Sequence, residues 1–158
     1  MAGSDDNAEL EFSRVFDSPP EVVFACFIDP THLTHFWAPL GASAPVEKIH
    51  IDPRPGGRFE TLIVNDRTGA TYATCSVFLD VQPPTLLAWR EEHTGMRVRV
   101  TFTALPGERT LFRLQQRDVP DIVKLPENQV GFTTTLDKLA HHLRLLTQGA
   151  QHENHPIR

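Results

Sequence analysis

From Val46 to Gln116 the chain repeats one pattern, a short run of strand-forming residues followed by a turn signal. The runs are Val46 to Ile51, Arg58 to Val64, Thr71 to Val81, Leu86 to Glu92, Arg97 to Thr103 and Thr110 to Gln116. Between them stand Pro55-Gly56-Gly57, Asn65-Asp66-Arg67-Thr68-Gly69, Pro83-Pro84, Thr94-Gly95 and Pro106-Gly107. Gly, Pro and Asn-Asp clusters punctuate strands in this way. Connections this short join antiparallel neighbours, because parallel pairing needs a long crossover. The pattern therefore predicts an antiparallel meander and excludes a doubly wound nucleotide-binding sheet.

The flanks have another period. A first strand is predicted at Glu9 to Asp17. Ser18-Pro19-Pro20-Glu21 then reads as a capping box, with Ser18 as cap and Pro19 in the first helical position. Val23, Phe24 and Phe27 face inward on this helix. Asp29-Pro30 ends it and caps a second short helix carrying Leu33, Phe36 and Trp37, closed by Pro39 and Gly41. After the meander, Pro126 and Glu127 open a long helix. Its apolar stripe is Val130, Thr133, Leu136, Leu139, Ala140, Leu143 and Leu146, with Asp137 and His141 on the polar side.

The predicted fold is α+β. A seven-stranded curved antiparallel sheet wraps the long C-terminal helix, and two short helices follow the first strand. An apolar sheet face must be covered, and the last helix is the element long enough to cover it. A twisted sheet does not close perfectly on a rod, so a cavity between sheet and helix is expected. The domain is placed at 9–147, with flexible tails at 1–8 and 148–158.

Composition removes several function classes. With 15 Lys plus Arg against 20 Asp plus Glu, the net charge is −5. That opposes nucleic-acid binding and a polybasic membrane anchor. No apolar run approaches the ~20 residues of a membrane span, and the small, acidic N-terminus lacks the marks of a secretory signal. Two cysteines, Cys26 and Cys75, give no disulfide framework, so a reduced cytoplasmic protein is expected. They sit in apolar segments and read as buried, inert thiols. His32 and His35, and His141 and His142, are close in sequence, but no Cys, Asp or Glu completes a ligand set by spacing. No metal and no cofactor is expected.

The order and words of the chain resemble the helix-grip fold of the START and birch-pollen-allergen superfamily (SRPBCC). Within it they resemble the family of the activator of the heat-shock chaperone ATPase (AHSA-like). Val22-Val23-Phe24, Asp29-Pro30 and Phe36-Trp37-Ala38-Pro39 match the family's opening helices. Asp52-Pro53-Arg54-Pro55-Gly56-Gly57-Arg58-Phe59 matches its most distinctive word. Val81-Gln82-Pro83-Pro84-Thr85-Leu86 matches its double-proline hairpin, and Gly131-Phe132 with Leu136-Asp137-Lys138-Leu139 its last helix. Phe132 and Phe36 stand where the family often has tryptophan, which changes the shape of the pocket the resemblance implies.

Alternation supplies the lining. Phe59, Ile63, Phe78, Trp89, Val98, Val100, Phe102, Phe112 and Leu114 share one phase. Phe132, Leu136 and Leu139 face them, and Phe27 and Trp37 close the mouth. Phe27, Trp37, Phe59, Phe78, Trp89, Val100, Phe112, Gln116, Phe132 and Leu136 are the ligand-binding candidates. Glu91 and His93 follow Trp89 in phase and are the candidate acid–base pair, with Gln116 as an orienting group. Arg54 is expected to pair with Asp52.

The leading expectation is a non-enzymatic binder of a small hydrophobic or aromatic molecule. An enzyme of the cyclase, dehydratase or hydrolase type in the same cavity is the alternative. Regulation of a chaperone ATPase is the third reading. It is the weakest, because a co-chaperone of the eukaryotic type is expected to carry a second, chaperone-binding domain. Exposed meander edges also leave room for a homodimer.

Overall fold

The computed structural model describes residues 8–154. Strand β1 (Leu10–Phe16) is followed by helices α1 (Pro20–Ile28) and α2 (Pro30–Leu33). Next come β2 (Ala42–Ser43), a single 3-10 turn at Val46–Lys48, and β3 (His50–Ile51). Then come β4 (Arg58–Asn65), β5 (Thr71–Gln82), β6 (Leu86–Glu91), β7 (Arg97–Leu105), β8 (Arg109–Arg117) and the long helix α3 (Pro126–Asn154). The 8-stranded sheet runs β1-β8-β7-β6-β5-β4-β2, with β3 also on β4. Every pairing is antiparallel. The predicted α+β architecture is the one observed, a curled half-barrel with two short helices after β1 and α3 in its grip. It has eight strands rather than seven, because Ala42–Ser43 adds a two-residue pair on β4.

The register carries the pattern across the sheet. Phe78, Trp89, Val98, Gln116 and Leu10 form one cross-strand row, and Leu87, Val100, Leu114 and Phe12 the next. Alternate residues of β7 and β8 are buried (Val98, Val100, Phe102; Thr110, Phe112, Leu114). A bulge between Phe78 and Asp80 interrupts β5, which bends the sheet there.

Four local expectations change. Ser18 is not the cap of α1. Pro19 takes that position with φ −71° and ψ 158°, without a side-chain cap, and Pro20 is the first helical residue. The cause is steric: a residue before proline is driven out of the helical region, so the helix cannot start at Pro19. Ser18 is buried, and its carbonyl accepts from Thr110 Oγ1 at 2.7 Å. Segment 46–51 is not one strand, because a 3-10 turn after Pro45 leaves only His50–Ile51 paired. Val130 is 61% exposed, whereas Thr135 and His142 are buried. The inward stripe of α3 thus runs through 132, 135, 136, 139, 142 and 143. Finally, α3 continues to Asn154; the rest of the expected tails, 1–7 and 155–158, lies outside the described residues.

One more expectation changes: α2 ends at Leu33, so Phe36 and Trp37 stand in the turns after it rather than on it, whereas the Asp29 cap and the Arg54 pair hold. Asp29 caps α2, its Oδ1 accepting from Thr31 N at 2.9 Å and Thr31 Oγ1 at 2.8 Å. Arg54 Nε lies 2.8 Å from Asp52 Oδ2.

Polar ties fix α3 against the sheet and the segment after α2. Arg14 pairs with Asp137 at 2.7 Å. Leu40 N donates to Thr134 Oγ1 at 2.9 Å. Lys138 Nζ donates to three carbonyls, Ala38 at 2.7 Å and Pro39 and Ala42 at 3.2 Å each. Partial burial holds the Lys138 ammonium below the usual lysine range, with Asp66 opposing that shift. Lys138→Met keeps the stem and removes the donor. It is expected to lower stability by about 1–3 kcal/mol, the range for stranding buried hydrogen-bonding groups. In urea unfolding this reads as a lower midpoint at unchanged slope.

Candidate functional site

The sheet does not meet α3 along its whole length. Between β4–β5 and the first half of α3 lies a hollow of about 420 Å³. Its lining includes Trp37, Pro39, Ile63, Thr74, Gly131 and Phe132. Pro39 and Trp37 arrive from the segment after α2, which the Lys138 and Thr134 contacts fasten to the helix. Gly131 matters here for its size. A Cβ built on it would meet only Pro39 Cβ, at 3.5 Å, so the helix leaves room at that point.

Among the ten sequence-derived ligand candidates, Trp37 and Phe132 line this hollow. Phe27, Phe59, Phe78, Trp89, Val100, Phe112 and Leu136 lie behind it in the packed core. There the rings fill space by touching one another. Phe59 stacks on Phe78 at 5.5 Å and meets Trp89 edge-on at 5.1 Å, and Phe27 stacks on Phe112 at 5.6 Å. Trp37 bridges the two zones, 5.7 Å from Phe59 and 6.2 Å from Trp89 between ring centres. Phe132 packs on Phe12 at 4.7 Å.

Gln116 sits in the row with Val98 and Trp89. Its Oε1 is buried without a hydrogen-bond partner among the described residues. Buried carbonyl oxygens are rarely left so, which marks this row as a place where a polar acceptor faces the interior.

Glu91 is inward and 7% exposed, as alternation predicts. Its oxygens are taken by backbone. Oε2 accepts from Cys75 N at 2.9 Å, and Oε1 from His93 N at 2.8 Å and Thr94 N at 3.1 Å. The His93 ring is exposed, so the two residues meet through an amide rather than through an imidazole.

A second cluster lies where the three helices meet. Sequence spacing gives no hint of it, because its members come from α1, α2 and α3. Cys26 Sγ and one ring nitrogen each of His32 and His142 lie within 4.8 Å of one another. His32 Nδ1 is 3.0 Å from His142 Nε2, and the His35 ring stacks on His142 at 4.8 Å. Burial pushes the Cys26 thiol up to about 12, with the Asp29 charge adding to it. Burial pushes His142 down to about 4, and the neighbouring His35, His32 and His141 act the same way. Cys75 is half-buried and, like Cys26, free.

Among the described residues no helix is long and apolar enough to cross a membrane.

The family model described as "Activator of Hsp90 ATPase homolog 1-like protein" matches residues 17–144. No curated protein matches the chain. Among solved structures, a protein from Nitrosomonas europaea superposes with a TM-score of 0.77 at 22% identity, covering 92% of this chain and 99% of that one. The AHSA1 protein from Silicibacter pomeroyi gives 0.72 at 25% identity, with 86% and 97% covered. An HSP90 activator from Plasmodium falciparum gives 0.53 at 22%, with 70% and 73% covered.

Proposed function

The chain belongs to the AHSA1-like family of helix-grip proteins, and on that premise we propose that it binds a small, flat, largely apolar molecule between β4–β5 and α3. The observation that carries the reading is the hollow of about 420 Å³ walled by the side chains of Trp37, Ile63 and Phe132. Its volume falls in the range of small-molecule sites, which are mostly apolar with a few polar groups fixing orientation. Aromatic walls favour a flat ligand, since rings stack face to face or edge to face at low entropic cost. At the lining, Thr74 Oγ1 is shared with Thr61 Oγ1 and Asn128 Nδ2 donates to Ile122 O, so the acceptor capacity of Asn128 Oδ1 is what remains to orient a ligand. Catalysis has less support: the Glu91 carboxylate is engaged by three amides. The free thiols fit a reducing, cytoplasmic setting.

The test uses N-phenyl-1-naphthylamine, a neutral flat probe that brightens on leaving water. Wild-type protein is expected to bind one equivalent saturably. Gly131→Leu places a branched side chain in the hollow while replacing a poor helix former by a good one. It is expected to weaken the probe at least about tenfold without loss of stability, an effect of about 1.4 kcal/mol or more on binding. Undiminished affinity in folded Gly131→Leu, or no saturable binding by the wild type, overturns the reading.

A further inference from the structure

We propose that Cys26, His32 and His142 form a binding site for one divalent cation of the zinc type, which staples α1, α2 and α3 together. A thiolate with two imidazoles is a donor set suited to zinc, which takes sulfur and nitrogen ligands tetrahedrally. Two imidazole nitrogens on one tetrahedral zinc, each about 2.0–2.1 Å from it, sit roughly 3.3 Å apart. His32 Nδ1 and His142 Nε2 are already 3.0 Å apart, and the sulfur lies with them inside a 4.8 Å span. Small rotations of three side chains open the set around a cation.

A carboxylate stands behind the first ligand. His32 presents Nδ1 to the cluster and its other nitrogen, Nε2, to Asp29 Oδ2 at 4.0 Å. At 4.0 Å this is a charge contact and not a hydrogen bond; closing it by about 1 Å would give His32 the carboxylate partner that orients a metal-bound histidine. Asp29 is itself held by Thr31. Solvent is near. His142 borders a groove of about 540 Å³ shared with His35, Lys138 and His141, and His32 is half-buried, so the cluster lies one side chain from solvent on these two sides.

Proton balance is simple. The cation takes the thiolate, and the Cys26 proton leaves to solvent. The proton between the two facing nitrogens moves by tautomerisation, to His32 Nε2 opposite Asp29 or to His142 Nδ1. Because the three ligands come from separate helices, the bond joins the small helices to the element that the sheet grips. Binding to the native state alone stabilises it.

The experiment uses the full chain without a histidine tag, stripped by chelator and titrated with Co²⁺. One equivalent is expected to give a near-ultraviolet thiolate charge-transfer band and visible bands of four-coordinate strength, both bleached by Zn²⁺. Zn²⁺ at about a hundred times its dissociation constant is expected to raise Tm by about 5–10 °C. Cys26→Ser is expected to lose the near-ultraviolet band. His32→Gln, at a half-buried position, carries the test should the buried cysteine not tolerate change, and is expected to weaken binding at least about tenfold. His141→Gln is exposed and is expected to bind as the wild type does. A wild type without the thiolate band, a band that survives Cys26→Ser, or equal losses in His32→Gln and His141→Gln overturns the proposal.

Discussion

Gly57→Ala is expected to cost about 4 kcal/mol or more, which places it among the rare, severe single substitutions. A Cβ built on Gly57 would lie 2.0 Å from the Asp52 carbonyl oxygen and 3.0 Å from both the Asp52 carbonyl carbon and the Arg54 carbonyl oxygen. All three atoms are backbone, so no side chain can swing aside. The backbone is also pinned. Arg54 N donates to Asp52 O, and Gly57 N to Arg54 O, each at 2.8 Å. Gly56 N donates to Phe78 O at 2.8 Å, and Phe78 N donates to Gly57 O at 2.9 Å. Relieving the overlap therefore breaks the turn or detaches it from β5. Native domains are stable by only about 5–15 kcal/mol, so this one methyl removes a large share. Gly56 is the internal control. It has φ +83° with nothing within 4 Å of a Cβ, so Gly56→Ala carries only the left-handed backbone cost, about 1–2 kcal/mol. Urea unfolding of both variants checks the claim, and equal losses in the two would refute it.

These neighbouring glycines also show where sequence reasoning stops. The word Arg54-Pro55-Gly56-Gly57 announces a tight turn. It does not say that one glycine is needed for its φ and the other for the carbonyl packed against it. The meander, the Asp29 cap and the start of α3 were legible because each depends on neighbours within a few residues. The cap at Pro19 follows from local sterics too, since the second of two prolines restricts the first. The phase of α3 depends on what the sheet presents, so Val130 reads as inward and is exposed. The aromatic set of the concave face was legible as a face. Its division into packed core and hollow was not, because that depends on how far α3 and the segment after α2 approach. The meeting of Cys26, His32 and His142 joins residues up to 116 positions apart, and His32 and His142, 110 apart, touch. No spacing rule reaches that far.

Glu91 presents the same division in a form that an experiment can separate. Alternation places it inward, and a carboxylate beside an imidazole invites an acid–base reading. The structure instead gives its oxygens to backbone amides, Cys75 on β5 and His93 and Thr94 in the turn after β6. The side chain thus ties the turn between β6 and β7 to the neighbouring strand. Glu91→Ala leaves these donors without their acceptor at a 7% exposed position. Each stranded buried group costs about 1–3 kcal/mol, and part of that is recovered where water enters. The expected loss is about 3–5 kcal/mol. Glu91→Gln keeps a single acceptor oxygen and turns an amino group toward an amide, so it should fall between Ala and wild type. His93→Ala keeps the backbone donor and removes only an exposed ring, so it should change stability by less than about 0.5 kcal/mol. Urea midpoints are expected in the order wild type, His93→Ala, Glu91→Gln, Glu91→Ala. A proton-transfer pair on a solvent-tolerant scaffold would give another result, with all three variants near wild-type stability. If Glu91→Ala melts with His93→Ala, the carboxylate does not hold the turn, and the acid–base reading regains its ground.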